Sequence, residues 1–207
     1  MKSVSKKRQR HTLGSAQMKL GMFYWPGGGQ HMAAWRHPEA HPDFDVDVSR
    51  IIELAKLAEQ GLFDIFFMAD TLSFWRGTLE AISHDAAGAW IEPLTVMATV
   101  AQHTKHIGLV CTSSTTYDQP WHLARRFAGL DLASGGRAGW NLVTTSNPDA
   151  ALNFGMDDQM EHGERYARAR EYFDVVTGLW DSWADDAFIR DVESGIYFDP
   201  SRLHVLD

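Results

Sequence analysis

The chain has 207 residues, 44% of them hydrophobic, enough for one substantial core. Its net charge of −8 leaves no basic face to compete for a phosphate backbone, which argues against a general nucleic-acid binder. No stretch approaches the ~18 apolar residues of a membrane span, and a single cysteine, Cys111, permits no internal disulfide and fits a reducing cytoplasm.

Residues 1–17 are a polar tail carrying Lys2, Lys6, Lys7, Arg8 and Arg10. No apolar core follows this basic run, so it does not read as a secretory signal; a disordered extension is expected. Residues 18–207 are read as the folded part. A first strand is expected over Lys19–Trp25, ended by Pro26 and Gly27–Gly29, with a His-, Pro- and Trp-rich loop through Pro42. The first helix should run from about Asp45 to Gln60, where Val48, Ile51, Ile52, Ala55 and Ala58 recur at helical spacing, with Gly61 as a C-terminal cap. The second strand, Phe63–Ala69, is nearly continuous in apolar residues, which predicts burial on both faces; it ends at Asp70. A loop carrying Phe74, Trp75, His84 and Trp90 leads to a helix with Pro93 in its first turn. The third strand, His106–Thr112, has a polar tip through Tyr117, and a helix from near Pro120 stops by Gly135-Gly136. The fourth strand, Arg137–Thr144, and a loop through Gln159 lead to a long helix, Glu161–Trp183. Its expected inner stripe is Tyr166, Ala169, Tyr172 or Phe173, Val176, and Leu179 or Trp180. Asp199-Pro200 marks a turn in the mixed remainder.

Four strand–helix units in strict alternation predict an α/β fold with a parallel sheet and right-handed crossovers. An open doubly wound sheet and a TIM-type barrel both fit that rhythm. The barrel is preferred because each strand ends in polar residues, as expected when all the loops meet above one face. Eight units typically need ~250 residues, so this chain is expected to cover roughly the first four βα units, a partial barrel. An open half of this kind would leave strands one and four as edges and expose apolar surface.

Asp70 closes a buried strand, where a carboxylate costs several kcal/mol unless solvated or hydrogen-bonded. It reads either as a cofactor or substrate contact or as a cap for the turn at Thr71. Thr112 through Thr116 offer five hydroxyls in succession, and period-two geometry sends Thr112 and Ser114 to one side. Such hydroxyls suit a planar heterocycle's carbonyls and ring nitrogens, or a simple Ser/Thr turn. His162 and Tyr166 share a helix face at i and i+4 near a helix N-terminus, a phosphate seat or an ordinary amphipathic first turn. His31, His37 and His41, with Glu39 and Asp43, lie in a proline-extended loop without cysteine partners, so no metal site is expected. Gly27–Gly29 lacks the spacing of a nucleotide loop and reads better as a hinge.

Together these segments resemble the luciferase-like, FMN-dependent monooxygenases, nearest the branch containing nitrilotriacetate, dibenzothiophene-sulfone and long-chain alkane monooxygenases. The resemblance rests on Trp35-Arg36-His37-Pro38, the block Phe63–Asp70, Ser114–Tyr117 with Pro120, Ala124–Phe127 and Leu130-Asp131. It continues through Gly136–Thr144, Asn153-Phe154-Gly155, Glu161–Tyr166, Ile189-Arg190-Asp191 and Asp199-Pro200. It implies a TIM-type barrel that binds reduced FMN supplied by a separate NAD(P)H-dependent flavin reductase. Reaction with O2 would give a C4a-peroxyflavin that oxygenates a small organic substrate. By the same resemblance Asp70 and Thr112 would lie near the flavin ring, and Ser146, between Thr145 and Asn147, would contact flavin or substrate. Several relatives carry His where this chain has Ser146. His162 and Tyr166 would meet the ribityl-phosphate end, and Trp35, His37 and Trp75 would line the substrate side. Relatives are commonly dimers or tetramers and continue for roughly as many residues again. The resemblance therefore implies the N-terminal half of a monooxygenase, active within a complete barrel. It could also be a flavin-binding half that needs a complementing C-terminal partner, or a non-catalytic remnant.

Overall fold

The computed structural model describes residues 18–25, 29, 31–74, 77–88 and 90–206; the basic tail and Trp75 lie outside them. Four parallel strands, β1 (Gly21–Tyr24), β2 (Ile65–Met68), β3 (Gly108–Ser114) and β4 (Ala138–Val143), form one sheet in the order β1-β2-β3-β4. A doubly wound sheet reverses its strand order at a switch point. Here each strand pairs with its predecessor in sequence, with Phe66 opposite Leu109 and Thr112 opposite Asn141, which is the singly wound order of a barrel. Among the described residues β1 and β4 are the sheet's two edges.

The helices are α1 (Val48–Gln60), α2 (Leu79–Ile82), α3 (Pro93–Ala101), α4 (Pro120–Ser134), α5 (Ala150–Asn153) and α6 (His162–Trp180). Their ends follow local chemistry. α1 begins at Val48 rather than near Asp45, because the Asp47 carboxylate accepts from the Ser49 and Arg50 amides and fixes the start. Glu92 caps α3 in the same way, with Pro93 in the first turn. Gly135 ends α4 in the left-handed conformation at φ 70. Gly61 does follow α1, but at φ −76; the left-handed residue there is Leu62. α6 stops at Trp180, short of Trp183, which instead forms an antiparallel bridge with Leu203. The single turns α2 and α5 sit in stretches expected to be loops.

β2 corrects the expectation of burial on both faces. Phe66 and Met68 are fully buried against α1, α3 and α4, while Ile65 and Phe67 are only partly covered. The helices cover one face of the sheet, and on the other Phe67 stacks on the exposed Phe23 at 5.0 Å. The core between that covered face and the helices holds Tyr24, Ile51, Leu94, Met97, Leu109 and Phe127, each contributing about 1.5–3 kcal/mol by burial. All six residues of β4 are half-buried.

Two polar clamps brace the strands' N-terminal end. One oxygen of Glu59, at the end of α1, accepts from the Lys105, His106 and Ile107 amides at 2.8, 2.6 and 3.0 Å. Burial pushes its carboxyl up, but the three donors outweigh this and hold it below its ordinary 4.5. Arg137 uses all five guanidinium protons, on Ser134 O, Thr104 Oγ1, Ile107 O, Ala101 O and Thr104 O. The α6 stripe also differs from expectation: Arg165, Ala169, Tyr172 and Val176 are buried, whereas Tyr166 is 58% exposed.

Candidate functional site

The C-terminal ends of β2, β3 and β4 converge with the first turns of α6 around a cleft of about 430 Å³. β2 delivers Asp70, β3 delivers Thr112 and Ser114, the β4 exit delivers Thr144 through Asn147, and α6 adds Tyr166 and Ala169. The period-two geometry of β3 places Thr112 and Ser114 on one face, as the sequence alternation required. Neither hydroxyl is idle: Asn141 Nδ2 donates to Thr112 Oγ1 at 2.9 Å, and Thr145 Oγ1 donates to Ser114 Oγ at 2.6 Å. Leu142, Val143 and Ala169 supply the apolar part of the wall.

Asp70 brings a carboxyl group to this wall. Burial, opposed by the Thr71 backbone N–H and reinforced by the negative charge of Glu92, pushes its carboxyl up to about 7. Near neutrality its protonated and ionised forms are therefore comparably populated, so it can either donate to or accept from a group in the cleft. The Cys111 thiol, on the opposite face of β3, is also driven up, first by burial and then by Glu92 and Asp70, so it stays protonated and unreactive.

The loops above the cleft are stitched together. Asn147 Nδ2 donates to Phe74 O and Asn153 Nδ2 to Leu72 O, both at 2.7 Å, so the β4 exit holds the β2 exit. No sequence pattern marks Asn141, Asn153, Gln159 or Arg165, because their partners are backbone or side-chain groups up to 81 residues away. Only strand register would have found Asn141, which sits opposite Thr112.

Asp70, Thr112, Ser146 and Tyr166 all line the cleft. His162 does not; its ring lies against Tyr166 at 4.8 Å, outside the lining. Two amides at the N-terminus of α6 are already used, since the Glu161 carboxylate accepts from Gly163 N and Glu164 N. An anion at that end would have to displace Glu161 or rely on side chains. Trp35 and His37 are also absent from the cleft lining. Trp35 Nε1 donates to His84 O at 3.1 Å, tying its turn to the segment after α2, and the exposed His37 accepts from the Glu39 amide through Nδ1. Among the described residues no group of three His, Cys, Asp or Glu side chains is placed to hold a metal ion, and no helix is long and apolar enough to cross a membrane.

The neutral hydroxyls, a carboxyl that titrates near neutrality and the apolar wall together suit a planar, weakly charged heterocycle bearing carbonyls and ring nitrogens. Residues 18–203 match the family described as luciferase-like monooxygenase. The chain is 48% identical over 191 residues to N-acetyl-S-(2-succino)cysteine monooxygenase of Bacillus subtilis (strain 168), covering 92% of this chain and 42% of that protein. It is 42% identical over 198 residues to component A of nitrilotriacetate monooxygenase from Aminobacter aminovorans, covering 92% and 44%. Its structure is similar to that of riboflavin lyase solved with modified FMN and riboflavin, with a TM-score of 0.83 at 33% identity, over 93% of this chain and 44% of the other. The chain thus spans less than half the length of these relatives.

Proposed function

This chain belongs to the luciferase-like monooxygenase family, and from that premise we propose that its cleft is the flavin seat of an FMN-dependent monooxygenase acting on a small organic substrate. The observation that carries the reading is the meeting of Asp70, Thr112, Ser146 and Tyr166 in one cleft at the C-terminal strand ends, where barrel enzymes carry their sites. The donor set fits the isoalloxazine of FMN: hydroxyls that donate or accept without net charge, and a carboxyl whose raised value leaves a protonated form available near neutral pH. Reduced FMN, delivered by a separate NAD(P)H-dependent flavin reductase, would supply the electrons and the oxygen activation.

The chain's own residues would do the rest. Asp70 would offer a proton to a ring acceptor, and Thr112, oriented by Asn141, would help to position the ring. Leu142, Val143 and Ala169 keep water from that end. Tyr166, with the His162 ring tilted against it, would meet the ribityl-phosphate end. Because the free edges of β1 and β4 leave the sheet unclosed among the described residues, turnover is proposed to need further strands, from the remainder of a longer chain or from a complementing one.

Titration of the 207-residue chain with FMN, followed by quenching of flavin fluorescence, tests the seat. Saturable quenching is expected, weakened about tenfold or more by Asp70→Ala and unchanged by Glu39→Ala. Absence of saturable quenching, or equal affinities for the two variants, refutes the reading.

A further inference from the structure

Thr145 stands in the left-handed region at φ 52. Branching at Cβ makes this conformation rare, and it persists only where the surroundings over-determine it. Here they do. The Thr145 carbonyl accepts from Arg165 Nη1 and from Gln159 Nε2, the latter at 2.7 Å, which engages both of its lone pairs. Arg165 Nη1 also donates to Thr144 O at 3.1 Å, and Thr145 Oγ1 is held by Ser114. Arg165 is only 8% exposed, and its Nε makes no hydrogen bond. Its engaged nitrogen is thus committed to backbone carbonyls at the β4 exit. One turn further along α6, Arg168 treats the β3 exit alike, donating to Thr115 O at 2.9 Å and Asp118 O at 3.3 Å.

We infer that Arg165, which lines no part of the cleft, is its positioning residue. It holds Thr145 left-handed and thereby sets Ser146 and Asn147 into the cleft wall. Asn147 in turn accepts from the Asp149 amide through Oδ1 and from the Ala150 amide through its carbonyl, so those two amides report whether the exit is in place. The effect on FMN rests on the flavin-seat reading; the effect on the loop does not.

The test uses the 207-residue chain and the variants Arg165→Met, Thr145→Asn and their double, with hydrogen exchange at Asp149 and Ala150 and FMN affinity as the two readouts. Arg165→Met should speed exchange and weaken FMN binding, each about tenfold or more. Asn enters the left-handed region more readily than Thr. The double variant should therefore return both readouts most of the way to the parent, a rescue that a purely structural arginine would not show. Exchange in Arg165→Met equal to the parent, or a double variant as fast as Arg165→Met, overturns the inference. So does accelerated exchange with unchanged FMN affinity. If Arg165→Met does not fold, Arg165→Lys, a point donor without the guanidinium fork, takes its place in the same comparison. A parent chain that binds no FMN while the exchange pattern holds overturns the flavin seat and leaves the positioning role standing.

Discussion

Replacing Asp70 by Asn should change how stability depends on pH. Asp70 moves from an ordinary 3.8 to about 7 because burial disfavours its charged form. At about 1.4 kcal/mol per pH unit, ionising it in the folded chain costs roughly 4 kcal/mol, and solvent entering the open cleft lowers that to about 2–4 kcal/mol. The folded-state value lies above the unfolded one, so the folded chain binds this proton more tightly. The cost is absent below about pH 4, grows as pH rises toward 7, and is constant above it. Asn keeps the shape and cannot ionise. Urea unfolding of both proteins between pH 4.5 and 8.5 should give a difference in stability that grows toward pH 7 in favour of Asp70→Asn and then levels off. Taking the difference removes carboxylates such as Glu59 that titrate in both proteins. Parallel stability curves would refute the reasoning, because they would mean that Asp70 ionises as freely in the folded chain as in the unfolded one.

Glu59→Ala leaves three amides without their acceptor and should cost about 2–3 kcal/mol at neutral pH, measured by urea midpoints. Because the Glu59 carboxyl is held below 4.5, its contribution is present above that pH and is lost as pH falls through its lowered value, so parent and variant should converge in acid. Arg137→Lys replaces a planar fork that uses five protons with a point donor and should cost about 2–3 kcal/mol by the same assay, with FMN affinity at the far end of the strands unchanged.

The strand–helix rhythm was legible because each unit carries its own period and its own stops: Asp47 and Glu92 as caps, Pro93 and Pro120 in first turns, Gly135 at a helix end. Asp70 and Thr112 were legible as site candidates because a polar group at the end of an apolar strand needs a reason. The substrate-side placement of Trp35 and His37 rested on resemblance alone, and the structure sets both outside the cleft lining. The α6 stripe was misjudged at one position. The expected stripe puts Tyr166 inward, whereas Arg165 is the buried residue there and Tyr166 is largely exposed. Carbonyls at the β4 exit, which no periodicity reveals, drew the arginine in.

The sequence by itself determined the alternation of strands and helices, the kind of sheet that follows, and the family, because these depend on local spacing and on residue blocks kept in order. Tertiary structure alone decided which sheet face is covered, which hydroxyls are already spoken for, and that a buried arginine fixes a left-handed threonine beside the cleft. Those outcomes turn on hydrogen bonds between residues far apart in the chain, whose partners are identified only once the strands have taken their register.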